Sequence, residues 1–531
     1  VTVLMRVVFL LFAEERGLLP QGQLYAEGYG LTDQLDALDE RARHEGEEAL
    51  DGTSFTWHRL LATSQALFRG ATFEDLRLPA YGGSLFDPGR FPFLHQLTDQ
   101  GNLAVTVNDR VLLHVLRAVQ VAQLRGSDAR RISFRDIDVE QIGYIYEGLL
   151  GYTCRVADEV VVGLVGRPGA EPEVPLDVLD GFVEQHERDA QIAAAIVGWA
   201  KEHQPASVPP TANALARALR AGDAMEDAER AVLSVTRDGE LGKRLRSWIG
   251  VIRRDLRGRP MVVEPGGLLV VETPSRRNAG AHYTPRSLAE EVVHYALEPL
   301  VYRPGPHQTA DRSAWRPVSS DDLLSLKVAD IACGSGAFLV AAARYLAARL
   351  VEAWHREGTV TLPPHQLEVD ATRKFVATCL YGADINAMAV EMGKLSLWLV
   401  SLDRNLPFSF VDDKILCGNS LLGITALRQL EALHITPPTG HQKQRWDVDA
   451  RGELVERLDL DHAIARAVRL RQALASEIDD ADPQRSATAK ARQWKAVREA
   501  TEDLSKVADG IVAAGLALGG KPGRALDEAY E

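Results

Sequence analysis

Cysteine is scarce in this sequence. Four cysteines occur among 531 residues, and none of them has the CxxC or Cys/His spacing that a zinc site needs. They are Cys154, Cys333, Cys379 and Cys417. The sequence therefore predicts neither a disulfide framework nor a metal site, and we expect the chain to work in a reducing cytoplasm.

Long apolar runs are also missing. The most apolar stretch near the start, Val3–Ala13, has 11 residues and is interrupted by Arg6, whereas a membrane span needs roughly 20 residues. The stretch runs directly into Glu14, Glu15 and Arg16 instead of a small-residue cleavage site, which argues against a secretory signal. We predict an ordinary amphipathic helix here and no membrane partner.

An excess of positive charge is the third absence. Lysine and arginine total 60 against 74 acidic residues, so the formal net charge is −14. A protein that binds nucleic acid over its whole surface is basic, so any such contact must come from local patches. Candidate patches are Arg253, Arg254, Arg257 and Arg259, and Arg276, Arg277 and Arg286. The alternative is that these arginines only form a solvated face.

The order of the apolar patterns predicts four regions. Residues 1–150 are expected to form a helical N-terminal domain, and residues 151–260 a mainly helical middle region. Over residues 261–425, β-branched runs alternate with helical segments, which is typical of an α/β domain with a parallel sheet. These runs are Met261–Val263, Leu268–Val271 and Leu326–Ile331. Residues 426–531 are predicted to be a helical insertion or tail, with a long helical hairpin over Asp459–Ala514.

The clearest chemical motif is Lys327–Leu339, KVADIACGSGAFL. It predicts a short strand, a Gly-x-Gly turn and a helix that begins at Ala337. Because Gly334 and Gly336 have no β-carbon, a nucleotide-like cofactor could approach the chain closely at this turn. Dinucleotide-binding proteins use a related turn for pyrophosphate, but the third glycine of GxGxxG is missing here. A structural turn without a ligand is the other alternative.

A second strand is predicted to end at Asp384, in the sequence YGADIN. An acidic residue at the carboxyl end of the second strand of a doubly wound sheet can accept both hydroxyls of a ribose. Ile385 would then face an adenine, and Asn386 would cap the next helix. The alternative is that Asp384 is only a charge at a helix N-terminus. The 48 residues from Gly336 to Asp384 exceed the roughly 20 of a dinucleotide-binding unit, and we interpret the excess as an insertion.

Two further segments flank these motifs. Tyr283-Thr284-Pro285 stands 45 residues before Asp330, with Thr284 as the predicted N-cap of a helix. Cys417–Gly423, CGNSLLG, follows the acidic strand. In this order, the four motifs resemble those of adenine-specific DNA methyltransferases in which methylase and specificity parts are fused, as in type IIG restriction-modification enzymes and the BREX and DISARM methylases of phage defence.

The resemblance implies a class I, Rossmann-like methyltransferase fold that uses S-adenosylmethionine and acts on adenine N6 in double-stranded DNA. The Gly-x-Gly turn would hold the methionine end of the cofactor, and Cys333 would be a residue of this turn and not a nucleophile. The residues that the resemblance places at the cofactor are Tyr283, Thr284, Asp330, Cys333, Gly334, Gly336, Phe338, Asp384, Ile385 and Asn419. Weaker similarity extends into the N-terminal region, through FLLFAEERGLLP, LPAYGGSLFDP and DIDVEQIGYIYEGLLGY.

The catalytic Asn/Asp/Ser-Pro-Pro-aromatic sequence of such enzymes is not found in these 531 residues. No catalytic residue is therefore predicted, and we expect either a truncated product or a second chain that carries the catalytic motif and the target-recognition domain. The alternatives are a non-catalytic cofactor- or partner-binding subunit or remnant, and a methyltransferase for RNA or a small molecule. Asp412-Asp413-Lys414 is predicted to be a solvated turn and not part of a nuclease site.

Overall fold

The computed structural model describes most of the chain, in two compact units. The described residues are 2–78, 80–81, 83, 85–122, 129–150, 152–205, 207–223, 228–255, 257–272, 284–359, 362–401, 411, 413–437, 460–475 and 483–518. The first unit comprises Val1–Glu147 and His282–Glu531, and the second comprises Gly148–Ala281. None of the helices among the described residues combines the length and the apolar content that crossing a bilayer requires.

The first unit begins with a helical region. Its helices are α1 (Thr2–Glu15), α2 (Gln23–Gly28), α3 (Gln34–Glu45), α4 (Phe55–Arg69), α5 (Asp109–Gln120) and α6 (Val139–Leu150). Short 3-10 helices lie at Glu47–Gly52 and Pro92–Leu94. Two antiparallel strand pairs accompany them, β1 (Ala71–Phe73) with β2 (Leu76–Leu78), and β3 (Val121–Ala122) with β4 (Arg130–Arg131).

Helix α1 is buried all round, so the prediction of an amphipathic helix is wrong. Every residue from Met5 to Ala13 is buried, including Arg6. The ring of Phe9 lies 5.6 Å from that of Trp398, which belongs to the α/β part of the same unit. A helix that is apolar on every side is enclosed by other elements, and α1 thus lies in a core shared with the α/β part.

The second unit combines short antiparallel strands with helices. The strands are β5 (Tyr152–Val156), β6 (Val161–Gly163), β7 (Glu173–Pro175), β8 (Val262–Val263) and β9 (Leu268–Glu272). The helices are α7 (Leu176–Gln185), α8 (Asp189–His203), α9 (Ala212–Asp223), α10 (Ala228–Leu233) and α11 (Gly239–Arg246). Trp248, Leu179 and Ile196 are among the residues at the centre of its core.

The runs Met261–Val263 and Leu268–Val271 do not join the parallel sheet as the sequence predicts. Strand β8 pairs antiparallel with β6, and β9 pairs antiparallel with β5. A β-branched run favours a strand but does not specify the strand that it pairs with, which is why the prediction fails here.

The parallel sheet of the first unit has the strand order β10-β11-β12. The strands are β10 (Val328–Asp330), β11 (Leu380–Asp384) and β12 (Ile415–Cys417). The helices of this part are α12 (Arg286–Val301), α13 (Ser320–Ser325), α14 (Ala337–Glu357), α15 (Pro364–Thr378) and α16 (Ala387–Ser401), with a 3-10 helix at Arg312–Ala314. Helices α14 and α16 both pack against strands of the sheet. Helices alternating with parallel strands agree with the predicted α/β class.

The long gap between the glycine turn and the acidic strand contains two helices. Helix α14 takes up 21 residues and α15 another 15, and the two pack against each other. After β12, the chain forms the helices α17 (Leu427–Glu431), α18 (Leu460–Ala475) and α19 (Pro483–Ala517). The last two also pack together, within the segment predicted as a helical hairpin.

Candidate cofactor site

Two aspartates end neighbouring strands at the same edge of the parallel sheet. Asp330 is the last residue of β10 and pairs with Gly382 of β11, while Asp384 ends β11 and pairs with Cys417. Because parallel strands all run in one direction, their carboxyl ends and the loops that follow them meet at one edge. This edge is where open α/β sheets bind their ligands.

The glycine turn folds from the end of β10 over the end of β11. The amide of Cys333 donates to the carbonyl of Ala383 at 3.0 Å, and the amide of Gly336 donates to the carbonyl of Cys333 at 2.8 Å. Gly334 and Gly336 have φ angles of 52° and 86°, a region that other residues adopt only with strain. The turn thus requires glycine at both positions.

The two glycines differ in what an added β-carbon would meet, while their predicted place beside a cofactor stays a prediction. A β-carbon on Gly334 would meet no atom of the described residues within 4 Å, so the turn is open on this side. A β-carbon on Gly336 would lie 3.3 Å from the Cα atom of Gly393 in α16. Gly336 therefore allows close packing of the turn on a helix, and Gly334 leaves space for a ligand.

Asp384 joins the turn to the next helix. Its Oδ2 accepts a hydrogen bond from the Gly334 amide at 2.9 Å, and its Oδ1 accepts one from the Asn386 amide at 2.8 Å. The Asn386 side chain accepts from the amide of Met388 at 2.9 Å, which confirms the predicted cap of α16. A carboxylate has about four lone-pair positions, so Asp384 can still accept hydrogen bonds from two ribose hydroxyls.

Asp330 carries a buried oxygen that lacks a hydrogen-bond partner among the described residues. Its Oδ1 accepts from the amide of Ala332 at 3.1 Å, whereas its Oδ2 is the buried, unpartnered atom. Burial raises the pKa of Asp330 above its ordinary value, and the nearby charge of Asp384 raises it further. An unsatisfied buried carboxylate oxygen is costly and fits a donor or a positive charge, such as the ammonium group of an amino acid.

Cys333 is a packed residue of the turn. It is buried, and burial, together with the charges of Asp330 and Asp384, raises the pKa of its thiol to about 12. A β-carbon on Gly382 would lie 3.0 Å from its Sγ. The thiolate needed for nucleophilic attack is thus disfavoured.

Apolar and amide side chains follow the strands at this edge. Ile385, directly after β11, is 70% exposed, and Leu421, in the segment after β12, is 85% exposed. Asn419 is also exposed, and its Oδ1 accepts from the amide of Leu421 at 3.0 Å. Phe338 lies half-buried in the first turn of α14.

The predicted helix cap at the Tyr-Thr-Pro segment is wrong. Helix α12 starts at Arg286 with Pro285 at the N-cap position and without a side-chain cap, so Thr284 lies one residue further out. Pro285 has extended backbone angles, which displaces the start of the helix. Tyr283 lies outside the described residues.

The predicted solvated turn at residues 412–414 is also wrong for the two residues that the structure describes. Asp413 and Lys414 are buried and form an ion pair at 2.7 Å. The Lys414 ammonium also lies 5.2 Å from the centre of the Tyr381 ring. The pair directly precedes β12 and contacts Tyr381 of β11 rather than solvent.

Residues that the sequence did not single out also shape this edge. Gly393 packs against the glycine turn, and an added β-carbon there would lie 2.9 Å from Cδ1 of Ile415. Gly143 of α6 faces Ser335 of the turn. A glycine inside an apolar helix is the signal that could have revealed both, because glycine there destabilises a helix unless close packing requires it.

The comparison with known families agrees with this geometry. Residues 316–422 match the family model described as MmeI, DNA-methyltransferase domain. This part of the chain is similar to a DNA methyltransferase of the type IIG restriction-modification kind. The matched residues include β10, β11, β12 and the glycine turn, so the methyltransferase similarity covers the whole edge described above. No curated protein matches the chain.

Proposed function

We propose that this chain binds S-adenosylmethionine at the carboxyl ends of β10, β11 and β12 and serves the methylation of adenine N6 in double-stranded DNA, in restriction-modification or phage defence. The observation that carries the proposal is Asp384, whose carboxylate is held between the amides of Gly334 and Asn386. The similarity of residues 316–422 to a DNA-methyltransferase domain supports it.

The polar groups at this edge fit the parts of S-adenosylmethionine. Asp384 accepts the ribose hydroxyls, and the open side of Gly334 lets the ligand lie against the backbone. The unpartnered oxygen of Asp330 receives the ammonium group of the methionine end. Thr284 and Tyr283 are proposed to bind the methionine carboxylate.

The remaining contacts fix the adenine of the cofactor. Ile385 covers one face of the ring with its exposed side chain. The Oδ1 atom of Asn419 accepts a hydrogen bond from the amine of the adenine ring. It can do so because it has a second lone pair besides the one that accepts from the amide of Leu421. Cys333 within the glycine turn and Phe338 in the first turn of α14 complete the proposed site.

Bound S-adenosylmethionine supplies an activated methyl group. The residues of this chain then have to orient that group and exclude water from it, which lowers the barrier through alignment and preorganised electrostatics. We propose that the target adenine is flipped out of the duplex and held by an Asn/Asp/Ser-Pro-Pro-aromatic segment supplied by a second chain.

The cofactor site is tested by calorimetric titration of the chain with S-adenosylmethionine. Asp384→Ala should weaken binding by on the order of 100-fold or more, because hydrogen bonds to a charged group contribute roughly 1.5–3 kcal/mol each. Asp238→Ala is the matched control, since Asp238 also accepts two backbone amides, from Glu240 and Leu241, but caps α11 in the second unit. A folded parent that does not bind, or equal losses in both variants, would refute the site.

A second candidate function is a non-catalytic subunit that binds the cofactor or a partner, and the missing Asn/Asp/Ser-Pro-Pro-aromatic sequence favours it. Duplex DNA and methyl-labelled S-adenosylmethionine are incubated with the chain, both alone and together with a second chain that carries an Asn/Asp/Ser-Pro-Pro-aromatic segment, to separate the two. Label in N6-methyladenine supports an adenine methyltransferase, and label in a cytosine contradicts adenine as the target. Cofactor binding without transfer to DNA even when the second chain is present favours the non-catalytic subunit.

A further inference from the structure

Helix α6, from the N-terminal helical region, touches the glycine turn directly. Gly143 is buried, and a β-carbon added to it would lie 2.6 Å from Oγ and 2.8 Å from Cβ of Ser335. Ser335 is the central residue of the Gly334-Ser335-Gly336 turn. The backbone of α6 therefore packs against the turn with no room for a methyl group.

Two ion pairs fix α6 in this position. Glu140, one turn before Gly143, is buried and binds two guanidinium nitrogens of Arg344 in α14. Asp138 accepts a hydrogen bond from Arg286, the first residue of α12, at 2.9 Å. The region of α6 is therefore tied to α14, which follows the glycine turn, and to α12, which follows the Tyr-Thr-Pro segment.

The turn depends on its neighbours for its shape. Glycines on both sides of Ser335 leave the backbone many accessible conformations, so external contacts must select one. Asp384 holds Gly334 by a hydrogen bond, and Gly393 packs against Gly336. The contact between Gly143 and Ser335 supplies the third support, at the middle of the turn.

We propose that Gly143 is a positioning residue for the cofactor, acting through Ser335, and that α6 forms the supporting wall of the glycine turn. This inference rests on the proposed cofactor site. It extends that site to the N-terminal helical region, which lies outside the residues that match the methyltransferase family model.

An added methyl group at Gly143 cannot be accommodated by a side-chain rotation. Rotation about χ1 of Ser335 moves Oγ but leaves Cβ where it is, 2.8 Å from the new atom. The ion pairs of Glu140 and Asp138 resist movement of α6. The turn must therefore shift, although replacing glycine by alanine inside a helix ordinarily stabilises the helix.

The test is a double-mutant cycle on S-adenosylmethionine affinity, with circular dichroism as a check of folding. Gly143→Ala should weaken binding by about tenfold, on the scale of the penalty for overpacking a close contact. Gly148→Ala in the same helix is the control, because an added β-carbon there meets no described atom within 4 Å, and it should leave affinity within about twofold. In the Ser335→Gly background, which removes both atoms in contact, adding Gly143→Ala should change affinity less than about twofold.

The outcomes distinguish this inference from the proposed function. Absence of binding by the folded parent overturns the cofactor site and this inference with it. Binding by the parent together with unchanged affinity in Gly143→Ala overturns the role of Gly143 alone. A loss that persists in the Ser335→Gly background, or a double variant that does not fold, also overturns it, because the effect would then not pass through Ser335.

Discussion

The two ends of α14 allow the packing role of the glycine turn to be measured. Gly336 and Gly358 are the N-cap and the C-cap of this helix, and both have left-handed backbone angles. A β-carbon on Gly358 meets no described atom within 4 Å, whereas one on Gly336 lies 3.3 Å from the Gly393 backbone. Alanine at either position is strained by the backbone, but only Gly336→Ala also requires the Gly393 backbone in α16 to shift by a few tenths of an ångström.

The magnitudes follow from these geometries. Left-handed backbone costs a residue with a β-carbon roughly 1–2 kcal/mol, which is the whole loss expected for Gly358→Ala. Overpacking adds about 1–3 kcal/mol, so Gly336→Ala should lower the free energy of unfolding by about 2–5 kcal/mol. It should also weaken cofactor binding, while Gly358→Ala should not.

Urea denaturation followed by tryptophan fluorescence measures the difference, because Trp354 near the end of α14 and Trp398 in α16 are both buried in the folded protein. The cofactor affinity of each variant is measured in parallel. Equal destabilisation by Gly336→Ala and Gly358→Ala, with equal cofactor affinity, would refute the reasoning that the turn packs on α16.

Three further predictions concern charge and reactivity. Glu140→Gln should lower the free energy of unfolding by about 2–3 kcal/mol in urea denaturation, less than the roughly 3–5 kcal/mol for a fully buried pair, because Arg344 is 26% exposed. Asp330→Asn should stabilise the free protein at neutral pH and weaken S-adenosylmethionine binding, since the raised pKa means that the folded state disfavours the charged carboxylate. That gain should vanish in thermal melts as the pH falls towards the ordinary aspartate value of 3.8, and a gain that is unchanged at acid pH would contradict the cause. Iodoacetamide at pH 8 should modify the exposed Cys154 and spare Cys333, because the pKa of Cys333 is raised to about 12. Peptide mass spectrometry follows the modification. Equal modification of both thiols would show that Cys333 is accessible.

Local sequence was enough to predict the central part of the site. The strand, glycine turn and helix of residues 327–339 carry local sequence signals, as do the acidic end of β11 and its Asn386 cap. Such signals come from backbone preferences and from caps that span a few residues, although contacts with distant residues then hold the turn in shape. The prediction was therefore most successful where sequence neighbours are also spatial neighbours.

Contacts between distant segments were not predictable in this way. Glu140 and Arg344 are 204 residues apart in sequence, and neither segment contains a sequence signal that indicates its partner. Val3–Ala13 was predicted to form an amphipathic helix, but Arg6 in this helix donates to the carbonyl of Leu85 inside the core. For the same reason, the sequence did not reveal that β9 pairs with β5 instead of joining the parallel sheet. Packing, which decides all three, is a property of the whole fold.

The N-terminal helices pack against the part of the chain that carries the candidate cofactor site. They share the core of the first unit through Phe9 and Trp398, and α6 supports the glycine turn through Gly143. The residues that match the DNA-methyltransferase domain begin only at 316. The cofactor site as proposed thus depends on helices that precede this domain in sequence.

A crystal structure of the chain grown with S-adenosylhomocysteine tests the central claim most directly. The account predicts ligand density at the carboxyl ends of β10, β11 and β12, with the ribose hydroxyls on Asp384 and the amino-acid end beside Asp330 and Gly334. Density at another place, or none at this edge with ligand at saturating concentration, would contradict it.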